Sequence, residues 1–253
     1  MRARVNFWEI SCIALAAMLL PLTLFIGIAL LPKLDPQEDN IGIYFRSNKG
    51  RFAALLGALL GTILVPLAVL LVEYFTSNLG VDPVREILFH TGTTALVLLV
   101  MSLAVTPVTI AFGWKQVIPL RRPLGLYAFF YVCLHLLTFV WLDYGLDLAF
   151  IIDGIVEQPF VLVGTAAFLL LIPLAITSTK GWQKRLGKRW KTLHKLSYLI
   201  IVLALIHFVW LVKNVYIEPG IYAGIVALLF LARWNPVKQK LLRWQRQIRT
   251  RLK

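Results

Sequence analysis

The chain has 253 residues, of which 59% are hydrophobic and 15% charged, and its mean hydropathy is +0.79. About a quarter of the residues of a soluble domain are charged, so this composition excludes an ordinary soluble protein and indicates a polytopic membrane protein. The formal net charge of +14 could suggest nucleic-acid binding, but the charges are distributed as in membrane loops. The cysteines, Cys12 and Cys133, lie in apolar segments, which predicts neither a disulfide framework nor a four-thiolate metal site.

Seven apolar segments follow one another along the chain, each near the ~20 residues that cross about 30 Å of hydrocarbon. They are Trp8–Leu31, Phe52–Phe75, Ile87–Gly113, Leu124–Asp143, Phe160–Thr177, Leu193–Lys213 and Gly220–Trp234. We therefore predict an all-α fold, a polytopic membrane helix bundle. The first segment is longer than the core of a signal peptide and no small-residue cleavage motif follows it, so we expect it to be retained. The sequence has no internal repeat and no nucleotide-binding motif.

The basic residues divide the loops into two sets. Loops after the first, third and fifth segments, with the C-terminal tail, carry 22 of the 26 Lys and Arg residues, and the other loops carry four. The positive-inside rule places the first set in the cytoplasm, the N-terminus outside and the C-terminus inside. Arg2 and Arg4 then lie outside, against the rule; either the other charges override them or the first span is cleaved or misread. The basic charge sets orientation and meets anionic lipid, so no nucleic acid is required.

The tail, residues 236–253, is predicted to form an amphipathic helix on the inner leaflet. Leu241, Trp244, Ile248 and Leu252 recur at steps of three and four among cationic and polar residues. This spacing is typical of a helix that lies in the membrane interface. A solvated basic tail is the alternative.

Two histidines lie at matched depth inside predicted spans. His135 is about 12 residues into the fourth span, ~18 Å from its cytoplasmic end, and His207 is about 13 residues past the basic start of the sixth. Taken alone, a membrane histidine is as compatible with a bond to a serine, a carbonyl or a water molecule. Two neutral imidazoles facing each other on parallel helices can ligate one haem from both sides. Ala204 and Thr138, each one turn from one of these histidines, leave room for a flat macrocycle.

The other two histidines have less defined roles. His194 lies near the cytoplasmic surface and is about 220° from His207 around an ideal helix, so the two share no stripe unless the helix is distorted. It could ligate a second haem, bond a quinone, or be an interfacial residue. His90, near the outer end of the third span, is interpreted as structural. Cys133 is interpreted as a small buried residue and not as a ligand.

Three blocks of sequence closely resemble a known family. They are LGVDPVREILFHTGTTAL, RRPLGLYAFFYVCLHLLTFVWLD and TSTKGWQKRLGKRWKTLHKLSYLIIVLALIHFVWLVK. These blocks resemble the MsrQ (YedZ) family, haem-binding membrane subunits of bacterial methionine sulfoxide reductase systems, within the ferric-reductase-like transmembrane superfamily. The likeness covers about Phe52 to the tail. It implies a multi-pass protein of the bacterial inner membrane with a six-helix core at residues 51–235. Residues 1–50 would then be an extra N-terminal helix and loop, which this family lacks.

The resemblance also implies the chemistry. Haem b would be bound by His135, His194 and His207, and FMN would be served by the basic turn Arg121 and Arg122. Electrons would come from the quinol pool or a cytosolic flavin reductase, and pass to a periplasmic molybdopterin-dependent methionine sulfoxide reductase that repairs oxidised proteins. The chain would therefore be the electron-transfer subunit of an oxidoreductase system and not its substrate-reducing subunit. The extra N-terminal span puts the usual partner in question.

Two other functions compete with this interpretation. A metal or oxygen reductase of the same superfamily would use haem with another acceptor. A transporter or proton-relay protein would use the histidines without haem, although the chain lacks the inverted repeat that many transporters show. A haem absorption spectrum separates the second function from the others.

Overall fold

A computed structural model describes residues 48–113, 115–212 and 217–251 of the chain. Every regular element within these ranges is a helix and none is a strand, which confirms the all-α prediction. The predicted first span, Trp8–Leu31, and most of the loop Pro32–Gly50 lie outside the described residues.

The described helices are numbered in chain order. They are α1 (Asn48–Phe75), α2 (Pro83–Phe112), α3 (Arg121–Leu137), α4 (Leu148–Glu157), α5 (Pro159–Ile176), α6 (Lys180–Leu186), α7 (Lys188–Leu193), α8 (Leu196–Leu211), α9 (Ile217–Leu231) and α10 (Asn235–Arg251). A 3₁₀ helix, Lys115–Leu120, precedes α3, and a π-helical turn, Thr138–Asp143, follows it.

Four stretches within the described residues are long and apolar enough to cross a membrane. They are Pro83–Phe112, Val117–Asp143, Pro159–Ile176 and Lys188–Leu211. These stretches match the third to sixth predicted spans. The second predicted span is represented by α1, of which Leu64–Phe75 forms a shorter apolar helix.

The seventh predicted span, Gly220–Trp234, corresponds to α9 and is short for a membrane span. Its helix α9 has 15 residues, about 23 Å at 1.5 Å per residue, which is less than the hydrocarbon thickness. It reaches spanning length only when taken with the first part of α10, and the two helices are bent by 78° at the break between them.

The described residues fall into two compact units, divided between Thr94 and Ala95. In the first unit the buried His90 joins α2 to α1, because its Nε2 donates a hydrogen bond to the Pro66 carbonyl at 2.9 Å. A carbonyl accepts only from a protonated nitrogen, so this bond fixes the tautomer of the ring. The contact gives His90 the structural role that the sequence predicted.

The second unit is built around the pairing of α5 with α8. Leu171 and Leu174 of α5 pack with Ile200 of α8 in a buried apolar cluster. Both helices are almost wholly apolar, as expected for segments surrounded by lipid and other helices. Their close pairing fixes the position of any residue on α8 relative to the backbone of α5.

The tail helix α10 confirms the helical part of the tail prediction. Trp244 makes an edge contact with Phe112 at the end of α2, with ring centres 6.3 Å apart. The Gln245 side chain lies against Gly113, directly after that helix. Leu252, the last residue of the predicted apolar stripe, lies outside the described residues. The position of the tail on the inner leaflet remains a prediction.

Candidate functional site

The side chains of His135 and His207 lie side by side inside the second unit. Their ring centres are 6.2 Å apart and their ring planes are nearly perpendicular, at 88°. His135 projects from α3 and His207 from α8, and both are half-buried. The matched depth predicted from the sequence therefore corresponds to direct proximity between the two imidazoles.

The orientation of His207 is set by α5. Its Nδ1 lies 2.6 Å from the carbonyl oxygen of Phe160. Because a carbonyl can only accept, Nδ1 carries the proton and Nε2 keeps its lone pair. A histidine that donates one ring N–H to a carbonyl presents the other nitrogen as a metal ligand, and such a bond fixes both tautomer and ring orientation.

Gly164 makes this approach possible. It lies one turn after Phe160 on α5, and a Cβ built there would be 2.8 Å from Nδ1 of His207 and 2.9 Å from Cε1. Real Cβ atoms do not approach other heavy atoms so closely, so the ring occupies space that only glycine leaves open. The His207 imidazole is thus held between a carbonyl and a glycine of the neighbouring helix.

His135 lies near the end of α3, between two buried residues. Tyr131, one turn earlier, has no exposed surface, and Thr138 begins the π-helical turn. The Thr138 hydroxyl donates to the Leu134 carbonyl at 2.9 Å, so its polar atom is satisfied within its own helix. The change to π-helical geometry comes directly after the turn that carries His135, and departures of this kind are frequent at functional sites.

The two histidines are suited to hold a haem. Their ring centres are 6.2 Å apart, so both would contact a group bound between them. Histidine is a common axial ligand of haem iron, and the porphyrin supplies the remaining ligands. Two histidines are therefore a sufficient protein contribution.

His194 is held in a different environment, at the break between α7 and α8. Its ring stacks on Trp190, with centres 4.0 Å apart and planes at 28°. Its Nε2 lies 3.1 Å from the Thr177 hydroxyl. That hydroxyl already donates its only hydrogen to the Pro173 carbonyl, at 2.6 Å. The Nε2 of His194 must therefore be the donor in its own bond.

This arrangement separates His194 from the other two predicted ligands. The Trp190 indole N–H donates to the Thr177 carbonyl at 2.9 Å, which locks the stacked pair against the end of α5. Ligation through Nε2 would require the bond to Thr177 to break. The predicted role of His194 as a haem ligand remains a prediction, whereas His135 and His207 are brought together.

The two arginines of the predicted basic turn are not equivalent. Both begin α3 and both are exposed. The backbone carbonyl of Arg121 accepts a hydrogen bond from the Ser102 hydroxyl at 2.9 Å, which fixes the start of α3 against α2. The predicted role of Arg121 and Arg122 toward flavin remains a prediction.

Sequence reasoning missed the groups that position the histidines. Phe160 acts through its backbone carbonyl, which leaves no signal in the residue type. Gly164 did offer a signal, since it is the only glycine between Pro159 and Ile176. Thr177 and Trp190 contact His194 from different helices, and their relation to it follows only from the packing of α5 against α7.

The chain is similar to known proteins of one family. Residues 91–205 match the family described as "Ferric reductase like transmembrane component". The "Protein-methionine-sulfoxide reductase heme-binding subunit MsrQ" of Xanthomonas campestris pv. campestris (strain 8004) is 47% identical over 173 residues, which are 66% of this chain and 79% of that protein. The subunit of the same name from Rhodospirillum rubrum is 41% identical over 196 residues, covering 77% of this chain and 92% of that protein. No solved structure matches the chain.

Proposed function

Because this chain belongs to the MsrQ family of heme-binding subunits of protein-methionine-sulfoxide reductases, we propose that it carries electrons across the bacterial inner membrane. The recipient would be a periplasmic molybdopterin-dependent methionine sulfoxide reductase. The observation that carries the proposal is the pair His135 and His207, 6.2 Å apart, with the His207 Nδ1 bonded to a carbonyl. Haem bound there supplies the one-electron chemistry, and the protein supplies ligation, burial and orientation.

The protein residues keep this site oriented and shielded from water. The Phe160 carbonyl holds the His207 ring in one tautomer, and the apolar residues of α5 and α8 surround it. Low polarity around a metal site limits solvent access and tunes its redox potential. His194, with Trp190 and Thr177, lies about 20 Å from His207 along the helix axis. We propose that it serves electron entry at the cytoplasmic side, either as a ligand of a second haem or as a hydrogen-bonding residue.

The acceptor can be tested with the purified chain. Haem in the protein is reduced with dithionite, excess reductant is removed, and a periplasmic molybdopterin-dependent methionine sulfoxide reductase is added with methionine sulfoxide. We expect the Soret band to return to its oxidised position only when reductase and methionine sulfoxide are both present. Unchanged reduced haem under these conditions contradicts the proposed acceptor.

A second candidate is reduction of a metal chelate, which the family match over residues 91–205 favours. In the same experiment a ferric chelate replaces the reductase and its substrate. If the chelate re-oxidises the haem and the reductase does not, the protein is a metal reductase of the same superfamily.

We also propose that the chain binds FMN near Arg121 and Arg122 and takes electrons from the quinol pool or a cytosolic flavin reductase. Guanidinium groups form paired, charge-assisted hydrogen bonds to phosphate oxygens. We expect the double variant Arg121→Gln, Arg122→Gln to lose most of its FMN while its haem content and membrane insertion stay normal. Flavin is measured by fluorescence after denaturation and haem by absorbance. Normal flavin at normal haem loading means that these arginines only set topology.

The proposed direction of transfer requires a defined topology. With 22 basic residues on one side and four on the other, a reporter fused after Lys253 is expected to be cytoplasmic. A reporter inserted in the segment 144–158 is expected to be periplasmic. Alkaline phosphatase and a fluorescent protein, which are active on opposite sides of the membrane, measure this. A periplasmic C-terminus contradicts the proposed direction.

A further inference from the structure

Arg233, directly after α9, is a half-buried cation that interacts with three helices. One terminal nitrogen of its guanidinium donates to the Leu229 carbonyl at 2.9 Å, and the other donates to the Leu103 carbonyl on α2. The guanidinium carbon lies 5.7 Å from the centre of the Tyr198 ring on α8. Its Nε atom is buried and has no hydrogen-bond partner. The described partners of Arg233 are thus neutral groups, and none of them balances its charge.

A second arginine lies beside the first. The Arg121 carbonyl accepts from Ser102 on α2, and Arg233 donates to the carbonyl of Leu103, the next residue of that helix. Two cations at one end of a bundle repel each other, and burying one of them without a counter-ion is costly. An anion bound between the two cations would offset this cost.

The sequence provides no acidic side chain nearby. Residues 87–142, 158–217 and 219–253 contain no Asp and no Glu, and both arginines lie well inside these ranges. On the predicted cytoplasmic side the acidic residues are Asp35, Glu38 and Asp39, which lie outside the described residues. The described part of this side therefore combines arginines, lysines and histidine with no carboxylate side chain.

We propose that Arg121 and Arg233 form a binding site for a phosphate group at the cytoplasmic end of the bundle. Arg121 is exposed and Arg233 is half-buried, so a bound phosphate would have one side toward the interface and the other toward the protein. Basic pockets between membrane helices on the cytoplasmic side are typical binding sites for anionic lipid headgroups. The phosphate of FMN presents the same charged oxygens as a lipid headgroup. If FMN is the ligand, this site rests on the proposed function.

Arg243 provides a matched control. It lies on α10, on the same predicted side of the membrane, and is exposed like Arg121. Changing Arg243 to Gln removes the same charge as Arg121→Gln. Arg233→Lys keeps the charge but places it on a single nitrogen, which cannot span the two carbonyls that separate terminal nitrogens of Arg233 reach. If Arg233→Lys fails to fold, Arg121→Gln tests the site alone. Its fold should be unaffected, because the hydrogen bond described for residue 121 uses the backbone carbonyl and not the side chain.

Two pairs of probes distinguish the sources of phosphate. FMN is compared with riboflavin, which lacks the phosphate, by fluorescence titration of flavin-depleted protein. Phosphatidylglycerol is compared with diacylglycerol, which lacks the phosphate, by native mass spectrometry of protein extracted from mixed vesicles. We expect one phosphate ligand to bind the native chain, and both Arg121→Gln and Arg233→Lys to weaken that binding about tenfold or more, as loss of a charge-assisted bond predicts.

Arg243→Gln should retain nearly native affinity, and the Soret band should be unchanged in every variant. Loss in the FMN titration identifies flavin as the source, and loss in the lipid titration identifies a phospholipid. Equal weakening by all three changes indicates diffuse surface charge and overturns the site, as does native binding of both ligands by Arg121→Gln. Absence of a Soret band from the native chain would count against the proposed haem function. The phosphate titrations would still test the phosphate site.

Discussion

Replacing His207 by Gly is expected to abolish the low-spin haem signal of the protein. The change removes the side chain that faces His135 at 6.2 Å and that Phe160 orients through Nδ1. Loss of groups that only support a ligand lowers metal affinity about 10–100-fold, so loss of the ligand itself should have a larger effect. Optical and electron paramagnetic resonance spectra report the spin state, and the haem-to-protein ratio reports retention.

Three further samples make this result specific. His135→Ala should have the same effect as His207→Gly, because each removes one side of the pair. Added imidazole should restore part of the low-spin signal to His207→Gly, since it can enter the space left by the side chain. His194→Ala should keep the signal of the His135–His207 site. Loss of the low-spin signal in His194→Ala together with its retention in His207→Gly would show that the ligand pair is assigned wrongly.

Gly164→Ala is expected to disturb the same site without weakening the helix that carries it. The new methyl group would lie 2.8 Å from Nδ1 of His207, so the ring must move and its bond to Phe160 must lengthen. In a helix the change from Gly to Ala normally stabilises by roughly 0.5–1 kcal/mol. We therefore expect a haem affinity lower by about 10–100-fold in a protein that is otherwise at least as stable.

The matched control is Gly224→Ala on α9, where nothing lies within 4 Å of the added Cβ. It should leave the haem spectrum and haem content unchanged. Haem titration of apoprotein and thermal unfolding in detergent measure the two effects separately. Native haem affinity in Gly164→Ala would mean that the described contact between Gly164 and His207 does not orient the ligand.

The sequence predicted the helices and the histidine pair because these depend on simple patterns. Long apolar segments define spans by their length alone, and four of them correspond to helices of spanning length. His135 and His207 could be paired because distance from the end of a helix converts directly into depth in the bilayer. The predicted span Gly220–Trp234 has the same length as α9 but lies three residues later than the helix, which begins at Ile217 and ends at Leu231.

The positioning of the histidines could not be predicted in the same way. A carbonyl acceptor such as that of Phe160 is present at every residue, and only packing decides which one meets His207. The environment of His194 depends on the break between α7 and α8, which turns its ring onto Trp190. Arg121 and Arg233 are more than a hundred residues apart in the chain, and only their bonds to adjacent residues of α2, Ser102 and Leu103, bring them together.

The most direct test of the central claim is the absorption spectrum of the purified full-length chain before and after reduction. The account predicts a Soret band that shifts on addition of dithionite, with one low-spin haem that depends on His135 and His207. A protein purified in folded form from haem-sufficient cells, with no Soret band in either state, would contradict the proposal that this chain transfers electrons through haem.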